Sequence, residues 1–168
     1  MASASDSMIL PRQHLEQAKL IEGLHSSQFQ PCGIDITLKE VYRFKSAGLI
    51  DFDNSERKIS DVEPVLFEND AITLKPGSYK VVFNEYVRIP KDVAALCFPR
   101  SSLLRCGVGL NCAVWDPGYE GRSEALLVVY NEHGISFKRN AKIGQMIFVK
   151  LAADAKTLYE GRYRGENK

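Results

Sequence analysis

Apolar residues in this chain fall into short runs that are separated by turn-forming residues. Pro, Gly, Asn or Asp bound most of these runs, as they bound strands: 34–41, 71–74, 79–82 and 94–98. The two most apolar runs, 125–130 and 146–151, are too short for buried helices and are rich in β-forming residues. We therefore predict a mainly β fold in which these two runs are core strands.

Near the N-terminus the spacing of apolar residues changes to that of a helix. A proline begins the segment and Gly23 follows it, which predicts a short helix from about Pro11 to Glu22. Residues 1–7 are small and polar, and we expect them to be disordered.

Turns and loops complete the predicted organisation. Residues 75–78 contain the Pro-Gly pair of a type II turn, and residues 131–134 separate two strands in a similar way. We predict a hairpin at each. The polar segment 48–63 is predicted to be a surface loop, and residues 155–168 a mobile tail that closes over a ligand. At 168 residues the chain is predicted to form a single domain.

The composition limits which binding partners and which cellular compartment we expect. The 22 basic and 21 acidic side chains leave a formal net charge of +1, so no global charge attracts nucleic acid or an anionic membrane. No run approaches the roughly 20 apolar residues that span a bilayer. The four cysteines have neither a CxxC pair nor zinc-ligand spacing, which predicts reduced, mostly buried thiols: Cys32, Cys97, Cys106 and Cys112. We expect a cytoplasmic protein that binds neither nucleic acid nor membranes.

Two segments concentrate the side chains that can carry chemistry. Residues 99–105 read Pro-Arg-Ser-Ser-Leu-Leu-Arg, and residues 115–121 read Trp-Asp-Pro-Gly-Tyr-Glu-Gly. Arginine forks match phosphate geometry, hydroxyls bind further oxygens, and a carboxylate binds a cation or activates water. The pattern predicts a phosphate-handling site. A plainer interpretation stays open for each segment, as surface arginines around a helix cap and as an Asp that only begins a turn.

Other candidates are weaker when each is taken alone. Gln145 lies between a glycine and a core strand, where an amide also serves to satisfy backbone groups. Asp35 lies between two isoleucines, and strand alternation turns it away from them, so a solvent-facing position stays open. Three basic residues are predicted to be solvated at the rim: Arg122, Arg139 and Lys142.

Taken in order, five motifs resemble those of the dUTPase and dCTP deaminase superfamily. They are Gly33-Ile-Asp35, Pro99-Arg-Ser-Ser102 with Arg105, Asp116-Pro-Gly-Tyr119-x-Gly121, Ile143-Gly-Gln145 and Gly161-Arg-Tyr-Arg-Gly165. The tail and the Gln-Pro-x-x-x-Asp segment are most similar to the deaminase-like branch found in archaea and bacteria, which includes deaminases, dUTP hydrolases and enzymes with both activities. The resemblance implies a distorted β-barrel or jelly-roll that assembles as a homotrimer, with active sites at subunit interfaces.

The resemblance also implies how a triphosphate is held. It assigns the phosphates to four side chains, with Arg105 assisting: Arg100, Ser101, Ser102 and Gln145. The triphosphate is expected to bind with Mg²⁺, and Asp35 is expected to support the hydrated ion. Arg100 is expected to take part in catalysis as well as binding.

The remaining implied roles concern the nucleoside and the water. The base edge is assigned to the backbone of three residues: Ala113, Val114 and Trp115. Tyr119 is expected to pack against the deoxyribose, and Asp116 to orient the attacking water. Tyr159 and Arg162 of the tail are expected to close over the site.

One core strand bears on which reaction is catalysed. In the deaminase branch a Glu on this strand shuttles a proton, but here its place falls on Leu126 when counted from Asp116, or on Val128 when counted back from the strand's end. Neither side chain carries a proton. Glu124 keeps deamination open if extra residues form a bulge that swings it inward. We predict a dUTP diphosphatase, which forms dUMP and pyrophosphate; the alternatives are a dCTP deaminase, a bifunctional enzyme and a non-catalytic nucleotide-binding trimer.

Overall fold

The computed structural model describes residues 8–168, and the prediction for residues 1–7 lies outside this range. Strands dominate, as predicted. The helices are α1 (Arg12–Ala18) and α2 (Ser101–Arg105), and a 3-10 turn spans Ser26–Gln28. The strands are, in chain order, β1 (Ile21–Glu22), β2 (Phe29–Gln30), β3 (Gly33–Phe44), β4 (Val62–Val65), β5 (Ala71–Leu74), β6 (Gly77–Phe83), β7 (Tyr86–Arg88), β8 (Val93–Pro99), β9 (Val108–Asn111), β10 (Glu120–Gly121), β11 (Glu124–Val129), β12 (Ile135–Lys138) and β13 (Lys142–Lys150).

The main sheet has eight strands and curls into a nearly closed barrel. Its path runs β8-β13-β3-β6-β11-β9, and β2 and β4 also pair with β3. Backbone hydrogen bonds of 3.0 Å join Ala95 of β8, at one edge, to Trp115, which follows β9 at the other edge. This bridge brings the two edges together, and the predicted distorted barrel is confirmed. Two small sheets, β1-β7-β10 and β12-β5, flank the barrel.

Alternate residues of the barrel strands β11 and β13 fill the core. In β11 the buried residues are Ala125, Leu127 and Val129, and the three alternate residues face outward. In β13 Met146 and Phe148 are fully buried. The two most apolar runs of the sequence are therefore core strands, as predicted.

The N-terminal helix is shorter than predicted. It ends at Ala18 because Lys19 adopts a left-handed conformation (φ 49°). Ile21 and Glu22, which were expected to be helical, form β1 and pair with Val87 and Tyr86 of β7. Strand pairing at this point replaces the last turn of the expected helix.

The two predicted hairpins are wrong. Residues 75–78 connect β5 to β6, and residues 131–134 connect β11 to β12, but the strands in each pair belong to different sheets. The two connections pack against each other: a Cβ on Gly134 (φ +75°) would lie 2.4 Å from the carbonyl oxygen of Leu74. Each turn therefore moves the chain from one sheet to another, and the close approach at Gly134 leaves no room for a side chain.

Two other predictions concern the surface. Segment 48–63 is a surface loop as predicted, apart from a bridge between Leu49 and Lys58 and its last residues, which begin β4. All four thiols are free, but those of Cys32 and Cys106 are exposed. The prediction that the thiols are mostly buried is therefore wrong. Cys32 lies in the turn between β2 and β3, and Cys106 caps the end of α2. Between residues 8 and 168, no helix has the length and apolar character needed to cross a membrane.

Candidate active site

Four side chains meet where β3, β13 and the end of β8 run side by side; we call them the basic cluster: Asp35, Arg100, Lys142 and Gln145. Gln145 of β13 lies opposite Asp35 of β3. Arg100 directly follows β8, and its backbone N–H donates to the carbonyl oxygen of Ile143 at 3.1 Å. Three predicted site residues that are distant in sequence therefore lie together.

Asp35 does not face solvent. Its side chain is only 1% exposed, and one carboxylate oxygen, Oδ1, lies 3.3 Å from Arg100 Nε. The other oxygen, Oδ2, accepts a hydrogen bond from Gln30 Nε2 at 2.9 Å and lies 3.4 Å from Lys142 Nζ. Burial of a carboxylate is costly unless cations or donors surround it, and here a cation flanks each oxygen.

A second buried carboxylate fixes the backbone around Asp35. Glu85 accepts hydrogen bonds from Gln28 Nε2 (2.8 Å), Thr37 N–H (2.9 Å) and Thr37 Oγ1 (2.7 Å). Gln28 Nε2 also donates to the backbone carbonyl of Asp35 at 2.9 Å. This network holds β3 in place on both sides of Asp35.

Gln145 lies over a glycine in the neighbouring strand. A Cβ on Gly33 would lie 3.0 Å from Gln145 Nε2 and 2.6 Å from the carbonyl oxygen of Met146. The glycine of the Gly33-Ile-Asp35 motif therefore leaves the space in which the Gln145 amide is placed.

The hydroxyls and the second arginine of the 99–105 segment lie on α2. Ser101 and Ser102 form its first turn and are exposed, and Arg105 ends it. Buried Leu103 anchors the helix to the core. Arg105 is exposed as well, so the polar groups of all three side chains are accessible on the short helix that follows Arg100.

A second group of side chains lines a cavity of about 230 Å³, which we call the aromatic pocket: Ile59, Ala113, Trp115, Tyr119, Ser123, Glu124, Tyr163 and Glu166. Trp115 and Tyr119 are buried. The Ser123 hydroxyl accepts a hydrogen bond from Trp115 Nε1 and lies 2.9 Å from the Tyr119 hydroxyl. The hydroxyl thus fixes both rings. Val114, between two pocket residues, is exposed.

Asp116 occupies the first position of a tight turn beside this pocket. Tyr119 N–H donates to the Asp116 carbonyl at 3.1 Å, and Gly118 has φ +88° at the third position. These are features of a type II turn, as the Pro-Gly pair predicts. The Asp116 side chain is exposed at the corner of the turn.

The C-terminal segment folds back over the same turn and pocket. Tyr159 N–H donates to the Pro117 carbonyl at 2.7 Å, and the Tyr159 ring meets the edge of Tyr119 at 5.6 Å between centroids. Tyr119 donates its hydroxyl proton to Glu166 Oε1 at 2.7 Å. Burial raises the pKa of Glu166 and also that of Tyr119. Arg162, between these contacts, is exposed.

The basic cluster and the aromatic pocket lie at opposite ends of β8. Trp115 pairs in antiparallel fashion with Ala95, so Asp116 continues toward the start of β8, whereas Arg100 lies beyond its end. At about 3.3 Å per residue of β8, the backbones of Asp116 and Arg100 are roughly 15–20 Å apart. One subunit therefore holds Asp116 and Arg100 in separate groups, and their union in one site stays a prediction.

The bulge that would have swung Glu124 inward is not formed. β11 pairs with β6 in unbroken register from Glu124 to Val129. Glu124 nevertheless borders the aromatic pocket, where Lys80 Nζ donates to its carboxylate at 2.8 Å. Leu126 and Val128 lie on the same outer face of the strand.

The structure brings two further residues to the basic cluster and the aromatic pocket that the sequence did not assign to a site. Lys142, expected at the rim, contacts buried Asp35, and Glu166 of the tail enters the aromatic pocket. Strand alternation counted back from Gln145 puts Lys142 on the opposite face, so the pattern conceals it. Of the other predicted rim residues, Arg139 pairs with Asp70, and Arg122 donates to backbone carbonyls, including that of Asn167.

Comparison with known proteins decides the family. A family model described as dCTP deaminase-like matches residues 5–151. The chain belongs to this family. Among solved structures, the dCTP deaminase of Agrobacterium tumefaciens has the same fold, with a TM-score of 0.67 at 18% identity over 86% of this chain. The chain spans 48% of the length of that deaminase.

Sequence relatives of the chain bear a different enzyme name. A protein of Methanosarcina acetivorans named probable deoxyuridine 5'-triphosphate nucleotidohydrolase is 51% identical over 91% of this chain and 88% of its own length. The deoxyuridine 5'-triphosphate nucleotidohydrolase of Methanocaldococcus jannaschii is 42% identical over 86% of this chain and 92% of its own length.

Proposed function

We propose that the protein is a dUTP diphosphatase of the cytoplasm, which hydrolyses dUTP to dUMP and pyrophosphate as a homotrimer. The observation that carries the proposal is the division of the site into a basic cluster suited to phosphates and an aromatic pocket with an adjoining carboxylate. The names of relatives up to 51% identical support the choice of substrate. The apolar residues at the two places expected for a deaminase acid, Leu126 and Val128, support hydrolysis.

The basic cluster and α2 bind the triphosphate in this proposal. The Arg100 side chain is 36% exposed and is anchored on one side by Asp35, which leaves the outward N–H groups of the guanidinium for phosphate oxygens. Ser101 and Ser102 donate hydroxyl protons, Gln145 donates its amide, and Arg105 adds a second guanidinium at the end of α2. Arg100 also spreads the negative charge that develops on the leaving pyrophosphate.

The aromatic pocket binds the nucleoside. The backbone of Ala113 and Val114 forms hydrogen bonds with the edge of uracil, whereas the N–H and carbonyl of Trp115, expected to share this role, are both bonded to Ala95. The Tyr119 ring packs against the deoxyribose and leaves no space for a 2'-hydroxyl. Tyr159 and Arg162 of the tail then close over the bound nucleotide, with Arg162 directed to the phosphates.

Asp116 orients the attacking water. The water oxygen attacks the α-phosphorus, the bond from that phosphorus to the bridging oxygen breaks, and pyrophosphate leaves. The proton of the water passes to the Asp116 carboxylate. The exposed position of Asp116 at a rigid turn supports this role, because the turn fixes the backbone of Asp116 while its carboxylate is accessible to solvent.

A homotrimer unites the two groups, with Asp116 supplied by one subunit and Arg100 by its neighbour. Apolar side chains exposed near the ends of α2 and β11 support contact with a second copy of the chain: Leu104, Leu126 and Tyr130. Tyr130 N–H donates to the Gly107 carbonyl at 2.9 Å, which places Tyr130 next to the end of α2. Burial of such side chains is the main driving force for association.

Mg²⁺ accompanies the triphosphate in this proposal. Asp35 Oδ1 accepts no hydrogen bond, but it is buried beside Arg100, so the expected contact of Asp35 with a water ligand of the ion does not fit this structure. Among residues 8–168 no group of three or more His, Cys, Asp or Glu residues is placed to hold a metal, so triphosphate and water oxygens supply the ligands. When bound, the ion neutralises phosphate charge.

The proposal is tested by measuring two products from the four deoxynucleoside triphosphates. Pyrophosphate released from dUTP, without ammonia from dCTP, is the expected result. Ammonia release from dCTP at a comparable rate contradicts it, and so does binding of dUTP without any turnover.

A second candidate function is dCTP deamination, which one observation favours: Glu124 borders the aromatic pocket. The Lys80 ammonium holds this carboxylate, which opposes a shuttle role. If Glu124→Gln removes ammonia release that the unmodified protein shows, the second function is correct. We expect no ammonia from either protein.

A further inference from the structure

A β-bulge near the start of β13 changes the direction of one side chain. Gln145 and Gly144 lie opposite Asp35 and Ile36, but Lys142 lies opposite Thr37, one residue short of regular pairing. Regular pairing would set Lys142 against Leu38, whose side chain is in the core. Because faces alternate along a strand, the shift places Lys142 on the face that carries Asp35 and Thr37.

The contacts of the Lys142 ammonium leave part of its binding capacity unused. Nζ donates to the carbonyl oxygen of Ser27 and lies 3.4 Å from Asp35 Oδ2. A lysine ammonium has three N–H donors, so one remains. The side chain is 28% exposed, whereas Asp35 behind it is 1% exposed. The remaining donor therefore has access to solvent, and the carboxylate does not.

We propose that Lys142 is a phosphate-binding residue of the dUTP site, held beside Arg100 by Asp35. The inference rests on the proposed function and extends it, because Lys142 is not among the residues that the motifs assign to the phosphates. Asp35 acts as a positioning residue: it contacts Arg100 through one oxygen and Lys142 through the other.

Charge and geometry both favour a phosphate as the ligand. Two cations around one carboxylate leave a net positive charge at the outer side of the cluster. The guanidinium offers a planar fork, and the ammonium offers a compact point charge, so the pair binds oxygens of neighbouring phosphates. The buried carboxylate repels phosphate little, because both of its oxygens are covered by cations.

The obvious competing role is a structural one, in which Lys142 only neutralises Asp35. Two substitutions separate the roles: Lys142→Met keeps the length of the side chain and removes the charge, and Lys142→Arg keeps the charge. Lys150→Met is the matched control, because Lys150 lies at the far end of β13 and is exposed. Thermal unfolding of each variant reports the structural contribution.

The binding experiment uses inorganic tripolyphosphate and deoxyuridine as separate probes of the unmodified trimer and its variants. We expect Lys142→Met to weaken tripolyphosphate binding about tenfold, as the loss of one charge-assisted hydrogen bond does. Lys142→Arg should restore most of the affinity, and deoxyuridine binding should not change in any variant. Equal tripolyphosphate affinity in folded Lys142→Met and in the Lys150→Met control would overturn the inference, even if Lys142→Met unfolds at a lower temperature.

The two proposals fail in different ways. If the unmodified protein releases no pyrophosphate from dUTP, the proposed function fails, and tripolyphosphate binding still decides the role of Lys142. If dUTP is hydrolysed and tripolyphosphate affinity does not depend on Lys142, only the inference fails.

Discussion

Asp35 and Asp116 are the same residue type, yet their surroundings suit them to opposite tasks. Asp35 is enclosed between Arg100 and Lys142, where its fixed negative charge holds two cations in place. Asp116 stands exposed at the corner of a rigid turn, where a carboxylate can accept a proton from water. We therefore assign positioning to the buried acid and base chemistry to the exposed one.

Substitution of Asp116 tests the second assignment. Asp116→Asn keeps the size and the turn but removes the proton acceptor, so we expect dUTP hydrolysis to fall by at least about 100-fold. Binding of a non-hydrolysable dUTP analogue should stay within about twofold of the original, because the carboxamide preserves shape. Near-normal turnover in Asp116→Asn would remove this residue from the catalytic role.

Gly33 offers a test of how Gln145 is placed. In Gly33→Ala the new methyl group meets the Met146 carbonyl oxygen at 2.6 Å and the Gln145 amide at 3.0 Å, so strand and side chain must shift. We expect a loss of about 1–3 kcal/mol in the free energy of unfolding, together with weaker tripolyphosphate binding. The reference is the unmodified protein, in which no methyl group occupies this space. Equal stabilities in denaturant titration would contradict the packing argument.

Among the elements, the C-terminal segment is predicted to dock in a pH-dependent way. Glu166 is packed against the Tyr119 hydroxyl, with Glu124 and Lys80 as the nearby charges. Burial raises its pKa above the ordinary 4.5, so the docked segment favours the protonated acid. Docking is therefore strongest below the ordinary pKa and weakens as pH rises through the raised value.

Glu166→Gln imitates the protonated acid and should remove this dependence. The readout is hydrogen exchange at Gly165 N–H, which donates to the Glu120 carbonyl at 2.7 Å in the docked segment. At neutral pH the variant should exchange more slowly than the original protein, and near pH 4 the two should agree. A variant that exchanges faster at neutral pH would show that the ionised carboxylate stabilises docking.

The elements also show where sequence reasoning succeeded and where it stopped. Apolar runs such as 125–130 were correctly predicted as core strands, because a buried strand needs apolar side chains whichever strand lies next to it. The sequence did not predict which strands pair. The Pro-Gly turn at 76–77 suggests that β5 and β6 pair with each other, but long-range packing places them in different sheets. For the same reason the bulge that turns Lys142 toward Asp35 is invisible in the sequence, since it depends on the register between β13 and β3.

In the whole molecule, one subunit holds the aromatic pocket and the basic cluster apart, so the proposed activity would require assembly. The motifs contain residues of both groups, and the structure places three of them side by side: Asp35, Arg100 and Gln145. Their joint action on a triphosphate stays a prediction. Their distance from Asp116 follows from the course of β8, which no motif records. If neighbouring subunits complete the site, a lone subunit has no complete site and activity depends on the trimer.

Mixing two inactive variants tests most directly whether neighbouring subunits share the active site. Asp116→Asn and Arg100→Met each damage one group, and a trimer containing both variants has one interface where an intact Asp116 meets an intact Arg100. Random co-assembly of equal amounts should restore about a quarter of the original pyrophosphate release from dUTP, because about three quarters of the trimers are mixed and each has one of three sites. Activity of the mixture that stays at the level of the separate variants would contradict a dUTP-hydrolysing site shared between subunits.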